Sequence, residues 1–306
     1  MQRQLLYWLL LCSSVLFFVG CSDKSLHGYS VAPSLEGKTS IKIFHSKKLG
    51  DYKLSIYSPS VKAPSQGWPV IYLLDGDSFF KHASEMIRQQ AIIVSIDYPT
   101  TSRRDLDYLP KPPELSLEIL SNGQINIPKA FGGADEFLAF LQTELKPFVY
   151  KNYHVNDHKQ IIFGHSYGGL FVLHTLFTQP DAFSDYIASS PSIWFSGRYI
   201  MKEATYFLEQ LHVQQLNTSV TLHLSVGEYE QSLTGQEGFR SDIEKQLRLK
   251  HMQNRRMVDN TKELAQMLIQ ANNPNLEVTY HVYPQQTHQS VPVLVLQDRL
   301  PHMLKK

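Results

Sequence analysis

Short apolar runs alternate with longer amphipathic segments from Ser40 to the end of the chain. The short runs are either continuously apolar or apolar at every second residue, which predicts strands at 41–44, 52–57, 69–76, 91–98, 160–166, 185–192, 221–227 and 277–284. The longer segments space apolar residues three or four apart, which predicts helices at 134–153, 169–177, 197–213, 238–272 and 291–305. Strands that alternate with helices predict an α/β fold, a mostly parallel sheet of about eight strands with helices on both faces. No repeat or linker divides the pattern, so residues 39–306 are interpreted as one domain.

Composition and charge exclude several classes of protein. Of the 306 residues, 42% are apolar and 19% are charged, and the formal net charge is +1. These values are ordinary for a globular protein. Because basic residues form no stripe along the chain, we predict no nucleic-acid partner. Two cysteines are too few for a disulfide framework or a cysteine-built zinc site.

The amino terminus has the pattern of a bacterial export signal. Arg3 precedes an apolar stretch over residues 5–20, which is shorter than the roughly 20 residues that span a membrane. Residues 1–20 are therefore interpreted as a signal peptide. The end of the stretch, FVGC, resembles the lipobox, in which the cysteine, here Cys21, is lipidated. Polar residues 21–38 would be a tether.

The lipobox resemblance also implies a location. We expect a lipid-anchored protein of the bacterial cell envelope. Ser22 after the cysteine favours the outer membrane over the inner one, facing the periplasm. Two alternatives stay open: an uncleaved membrane anchor, and cleavage that releases a free secreted protein.

One connection is too long for an ordinary loop. Residues 99–133 are rich in Pro, Asn and Gly and separate a predicted strand from a predicted helix. Long segments after strands often carry binding residues, so this one is predicted to be a substrate loop or a lid.

The motif GHSYGG at residues 164–169 carries the candidate chemistry. QIIF before it predicts a strand and GLFVLHTLF after it predicts a helix. A nucleophile elbow requires this strand–turn–helix arrangement, because its serine sits on a tight turn with the hydroxyl exposed. The motif therefore predicts Ser166 as a nucleophile in an α/β-hydrolase fold. The alternative is a helix start at which Ser166 is only a cap.

The order of the strands points to the partners of that serine. In this fold the acid and the histidine follow the serine along the chain. His288 lies in the loop after the last predicted strand and is the predicted base. The acid follows the preceding strand, where Glu230 is the first choice and Glu228 the second. His165, beside the serine, is expected to point elsewhere on the turn, and a structural role is the default for His174.

An oxyanion hole needs two backbone N–H groups near the developing charge. The residue after the nucleophile, Tyr167, supplies one. The loop after the third strand supplies the other, which we assign to Asp77, with Gly76 as the next choice.

Together these motifs resemble the α/β-hydrolase esterases that cleave trilactone siderophores such as enterobactin and salmochelin; feruloyl esterases are more distant relatives. The resemblance rests on YLLDGDSFF, the stretch from GHSYGG to SIWF, VGEYE and the loop YPQQTHQSVP. It implies a substrate-binding basic residue after the fourth strand, where Arg104 lies, and Trp194 in the wall of the site. A surface Arg104–Asp105 pair and simple packing of Trp194 are the alternatives. Tyr167, where the family commonly has leucine, and residues 107–128 depart from the family pattern.

The sequence thus predicts a serine hydrolase that cleaves carboxylic esters, with a small-molecule ester substrate that the resemblance suggests is a siderophore. No metal or organic cofactor is expected. One alternative is a short-acyl or carbohydrate esterase with the same triad, and another is a non-catalytic binding lipoprotein. The sequence does not indicate an oligomeric state.

Overall fold

The computed structural model describes residues 37–120, 122–213, 216 and 218–305. Its strands are β1 (Lys38–Ser46), β2 (Gly50–Ser58), β3 (Trp68–Leu74), β4 (Ile92–Asp97), β5 (Glu118–Ile119), β6 (Ile125–Asn126), β7 (Val155–His165), β8 (Asp185–Ser189), β9 (Val220–Gly227) and β10 (Leu276–Tyr283). Its α-helices are α1 (Gly76–Ile87), α2 (Arg104–Tyr108), α3 (Ala134–Phe140), α4 (Lys146–Asn152), α5 (Tyr167–Thr178), α6 (Phe195–Val213), α7 (Asp242–Arg255), α8 (Met257–Gln270) and α9 (Val291–Lys305). A π-helical turn, Leu141–Leu145, joins α3 to α4, and short 3₁₀ turns lie at Pro180–Ala182 and Glu228–Glu230.

Eight of the strands form one sheet in the order β1-β2-β4-β3-β7-β8-β9-β10. β1, β2 and β4 pair antiparallel, and every pair from β4 to β10 is parallel. The predicted mostly parallel sheet of eight strands is therefore confirmed. The carboxyl ends of its parallel strands lie along one edge, where the loops that follow them meet.

The two faces of the sheet contribute to different parts of the core. Along β3, Val70, Tyr72 and Leu74 belong to one buried cluster, and Ile71 and Leu73 belong to the other. Because successive strand residues point to opposite faces, a strand covered on both sides must be apolar throughout. Helices α3, α5, α6 and α8 supply the first cluster, and α1 and α9 supply the second.

The structure corrects one helix prediction. Residues 238–272 were predicted as one helix, but α7 ends at Arg255 and α8 begins at Met257. Arg256 between them has φ 46° and ψ 45°, the left-handed conformation that ends an α-helix. Neither glycine nor proline marks this break in the sequence. Arg256 forms ion pairs with Asp259 and Glu263 of the following helix.

The long connection after β4 contains regular structure of its own. It forms the short helix α2 and a two-stranded antiparallel hairpin, in which Glu118 pairs with Asn126 and Ile119 with Ile125. The predicted signal peptide, Cys21 and almost all of the predicted tether lie outside the described residues. Among the helices that the structure does describe, none is both long enough and apolar enough to cross a membrane.

Candidate active site

Ser166 occupies a strained turn between β7 and α5. Its backbone has φ 59° and ψ −115°, a region that residues other than glycine rarely enter. The turn is tight, since a Cβ on Gly164 would lie 2.2 Å from the carbonyl oxygen of Gly168. The predicted strand, turn and helix are therefore present around Ser166, and a side chain at position 164 is excluded for steric reasons.

His288 follows β10 and contacts a buried carboxylate. Its Nδ1 lies 2.6 Å from Oε2 of Glu230. The other oxygen of Glu230 accepts hydrogen bonds from the hydroxyl of Ser190 at 2.5 Å and the N–H of Gly227 at 2.7 Å. A carboxylate can only accept, so Nδ1 of His288 carries the proton and Nε2 is left as an acceptor.

Glu228, the alternative acid, has a different partner. It is exposed, and its Oε2 accepts a hydrogen bond from the N–H of Gln285 at 2.8 Å. Glu228 thus holds the loop that carries His288, whereas Glu230 contacts the imidazole itself.

Ser166, Glu230 and His288 line one cleft with a volume of about 280 Å³. The structure therefore brings the three predicted side chains together at the carboxyl edge of the sheet. In the described ranges no group of three or more His, Cys, Asp or Glu side chains is arranged to hold a metal ion.

Two side chains beside the cleft had no assigned part in the predicted site. The ring centroid of His165 lies 4.4 Å from that of His288. Burial, and then the nearby charges of His288 and Arg104, lower the pKa of His165 well below its usual 6.5. It therefore stays neutral beside an imidazole that must accept a proton. The hydroxyl of Ser192 lies 3.3 Å from that of Ser166, and the sequence signal for it is its place in the loop that follows β8, the strand next to β7.

Similarity to known proteins identifies the chain. A family model described as "Putative esterase" matches residues 46–266. The chain belongs to that esterase family. It is 33% identical over 291 residues to the ferri-bacillibactin esterase BesA of Bacillus subtilis, covering 90% of this chain and 92% of the relative. It is 35% identical over 251 residues to the siderophore enterobactin esterase of Emericella nidulans, covering 73% and 80%.

A solved structure supports the same assignment. The siderophore hydrolase EstA from Aspergillus nidulans superimposes with a TM-score of 0.78 at 30% identity, covering 93% of this chain and 99% of that one. The predicted α/β-hydrolase fold is confirmed, and the chain is a carboxylic ester hydrolase that resembles siderophore esterases.

The structure gives no support to the prediction that Asp77 donates to an oxyanion in this esterase, and that role stays a prediction. The N–H of Asp77 already donates to Oδ2 of Asp97 at 2.9 Å. Its carboxylate pairs with Lys53 of β2 at 2.7 Å, and β2 lies on the side of β3 away from β7. Gly76, the second choice for that donor, is the first residue of α1, and Tyr167 is the first residue of α5. The N–H of the first residue of a helix has no acceptor within the helix.

Arg104 lies next to the elbow, but the esterase already provides its counter-ion. Its Nε and Nη2 each donate to one oxygen of Asp75 at 3.0 Å, and its guanidinium lies 5.4 Å from the ring of Tyr167. Asp75 directly follows β3. The predicted contact of Arg104 with substrate stays a prediction, because this bidentate pair would have to open or share.

Trp194 lies in the wall of the cleft, beside basic residues that the sequence did not single out. Arg248, His251 and Arg255, all on α7, line the same cleft. The guanidinium carbon of Arg255 is 4.0 Å from the ring centroid of Trp194. Burial, and then the charge of Arg255, lower the pKa of His251. Nothing in the periodicity of α7 indicates that this face covers the site.

Proposed function

We propose that this esterase hydrolyses the ester bonds of a siderophore through a triad of Ser166, His288 and Glu230. The observation that carries the triad is the 2.6 Å contact between His288 and Glu230 in the cleft that also exposes Ser166. The strained backbone of Ser166 supports its assignment as the nucleophile, because backbone strain of this kind is typical of functional positions.

The chemistry follows from the proton positions. Nε2 of His288 removes the proton of the Ser166 hydroxyl as Oγ attacks the ester carbonyl, and the N–H of Tyr167 stabilises the oxyanion. Gly76 is the candidate for the second donor. The imidazolium, stabilised by Glu230, then protonates the leaving alkoxide as the carbonyl–alkoxide bond breaks. Water attacks the acyl-enzyme by the same route and releases the acid.

The siderophore substrate is supported by the names of the relatives. The similar proteins from Bacillus subtilis and Emericella nidulans are named for ferri-bacillibactin and enterobactin, and the similar structure is a siderophore hydrolase. Fold alone would not justify this step, because one fold carries many substrates.

The triad is tested by covalent labelling. The full chain is treated with a fluorophosphonate probe, and the modified residue is mapped by mass spectrometry. We expect the adduct on Ser166, loss of labelling in His288→Ala, and a loss of about 10⁶-fold in turnover in Ser166→Ala. An adduct on Ser192 instead would reject Ser166 as the nucleophile, whereas no adduct on the folded protein would reject the triad and favour a binding protein.

The substrate is tested separately by comparing hydrolysis of an iron-loaded tris-catecholate trilactone with that of a panel of p-nitrophenyl esters. A higher kcat/KM for the trilactone is expected. Efficient cleavage of simple esters together with an uncleaved trilactone would instead favour a short-acyl or carbohydrate esterase.

We further propose that the enzyme is a lipid-anchored protein of the bacterial cell envelope, modified at Cys21. The support is the apolar stretch that ends in FVGC, and the proposal applies to residues outside the described part of the chain.

A further inference from the structure

The hairpin of β5 and β6 lies beside the cleft, since its Glu118 pairs with Arg255 in the cleft wall. Because successive strand residues point to opposite sides, the pair Glu118 and Asn126 shares one face and the pair Ile119 and Ile125 shares the other. Ile119 and Ile125 are 63% and 55% exposed. The face with Glu118 is therefore the one that meets the rest of the molecule.

Glu118 is bound to the arginine that lies on Trp194. Nε of Arg255 donates to Oε1 of Glu118 at 2.7 Å, and Nη2 donates to Oε2 at 2.9 Å. Asn126 donates to the same carboxylate at 2.7 Å. The Glu118 side chain is 11% exposed, and although burial opposes ionisation, Arg255 and Asn126 lower its pKa. It is therefore an ionised partner of Arg255.

A second contact holds the hairpin segment in place. The N–H of Ser116 donates to Oγ of Ser196 at 3.0 Å. Ser196 lies in the left-handed turn at the start of α6, two residues after Trp194. The segment is thus attached near both ends of the wall that Trp194 and Arg255 form, and losing one contact need not release it.

The positive charge of the wall is partly neutralised by this pairing. Arg248 and Arg255 line the cleft. Two carboxylates that line the cleft have other partners. Glu230 contacts His288, and Glu237 accepts hydrogen bonds from the N–H groups of Thr234 and Gly235 at 2.6 and 2.9 Å. Glu118 is the carboxylate that forms a bidentate pair with Arg255.

We propose that Glu118 sets the charge selectivity of the cleft: it holds Arg255 in the free enzyme, and an anionic group on the acyl part of the substrate takes Arg255 from it. This inference rests on the proposed function, since it assumes that the cleft binds the ester. The ligand class is an ester whose acyl part carries a carboxylate or an aromatic oxyanion. Such a group suits a guanidinium that lies on an indole ring.

Glu118 limits the preference of the cleft for anionic substrates, because an anion of the substrate must replace Glu118 at Arg255. A neutral acyl group gains nothing from Arg255, whereas an anionic one gains the pair but must first displace Glu118. Removing the negative charge of Glu118 should therefore strengthen binding of anionic substrates specifically.

The test compares two esters of equal chain length, mono-p-nitrophenyl glutarate, which is anionic, and p-nitrophenyl valerate, which is neutral. We expect Glu118→Gln to raise the ratio of kcat/KM values, anionic over neutral, about tenfold, through KM, and Arg255→Gln to lower it by a similar factor. The double variant should match Arg255→Gln, because Glu118 acts through Arg255. Glu114→Gln, the same charge change at an exposed position of the same segment, is the control.

A purely structural role for Glu118 predicts a different outcome. Both esters would then change equally in Glu118→Gln, or the ratio would fall, and either result overturns the inference. Melting temperatures check that each variant is folded.

Binding gives the same comparison without turnover. Titration calorimetry on Ser166→Ala, with and without Glu118→Gln, uses the amides glutaranilic acid and valeranilide in place of the esters. If the enzyme cleaves neither ester, the ratio of the two amide affinities still decides the role of Glu118, and hydrolysis of the trilactone decides the proposed function separately.

Discussion

The two glutamates after β9 differ in their surroundings although they are two positions apart. Glu230 is buried and its oxygens are engaged by His288, Ser190 and Gly227. Glu228 is exposed and accepts from the backbone of the histidine loop. One carboxylate can thus fix the tautomer of the imidazole, and the other can only fix the loop.

This difference gives a prediction at the residue scale. Glu230→Gln should lower kcat by roughly 10³- to 10⁴-fold, because the amide no longer enforces the tautomer or stabilises the imidazolium. Glu228→Gln should lower it less than about tenfold, since loop position and not proton transfer is affected. Steady-state kinetics on the preferred ester measure both, and equal losses in the two variants would contradict the assignment of the acid.

At the scale of elements, a buried histidine joins three helices on one face of the sheet. His174 of α5 contacts Glu203 of α6 through Nδ1 at 2.8 Å and Asp135 of α3 through Nε2 at 3.2 Å. Burial alone would lower the pKa of His174, but the two carboxylates outweigh it and raise the pKa to about 9. The histidine is therefore cationic at neutral pH and links the helices electrostatically.

The raised pKa predicts how stability depends on pH. Since the folded pKa is about 9 and the unfolded value about 6.5, the folded state binds the proton more tightly. The stabilisation, at most about 3 kcal/mol, is complete below about pH 6.5 and is lost as the pH rises through 9.

Urea unfolding at pH 6 and pH 9.5 measures this loss. His174→Gln should reduce the difference in unfolding free energy between the two pH values. His158→Gln is the matched control, because that side chain is 90% exposed. An unchanged difference in His174→Gln would show that the stabilisation lies elsewhere.

At the scale of the whole molecule, the hydrolase domain and the proposed lipid anchor can be separated experimentally. The anchor depends on Cys21, whereas the elements that the structure describes begin at β1, with Lys38. The other cysteine of the chain, Cys12, lies within the predicted signal peptide and would be removed with it.

The two cysteines therefore form a matched pair for a localisation test in a bacterial host. Cys21→Ser should abolish labelling with radioactive palmitate and change the membrane attachment, whereas Cys12→Ser should leave both as in the parent. Membrane attachment without palmitate labelling in the parent would indicate an uncleaved apolar anchor, and a protein found free outside the membrane would indicate secretion.

Much of the architecture could be predicted from the sequence because it is encoded locally. Periodicity reports which side of an element is buried, and this is enough for the eight strands of the sheet and for the elbow at Ser166. The order of strands also placed His288 and Glu230 in neighbouring loops. The break at Arg256 was missed, because a left-handed arginine has no local signature comparable to a glycine.

By itself, then, the sequence determined the alternation of strands and helices, the parallel sheet and the turn that exposes Ser166, since these depend on neighbouring residues. Only the tertiary structure decided which donors and charges are already engaged. The N–H of Asp77 is taken by Asp97, Arg104 is paired with Asp75, and Arg255 contacts Glu118 from 137 positions away. Hydrogen bonds and ion pairs act over a few ångströms in space whatever the separation along the chain, so periodicity and motif spacing carry no record of them.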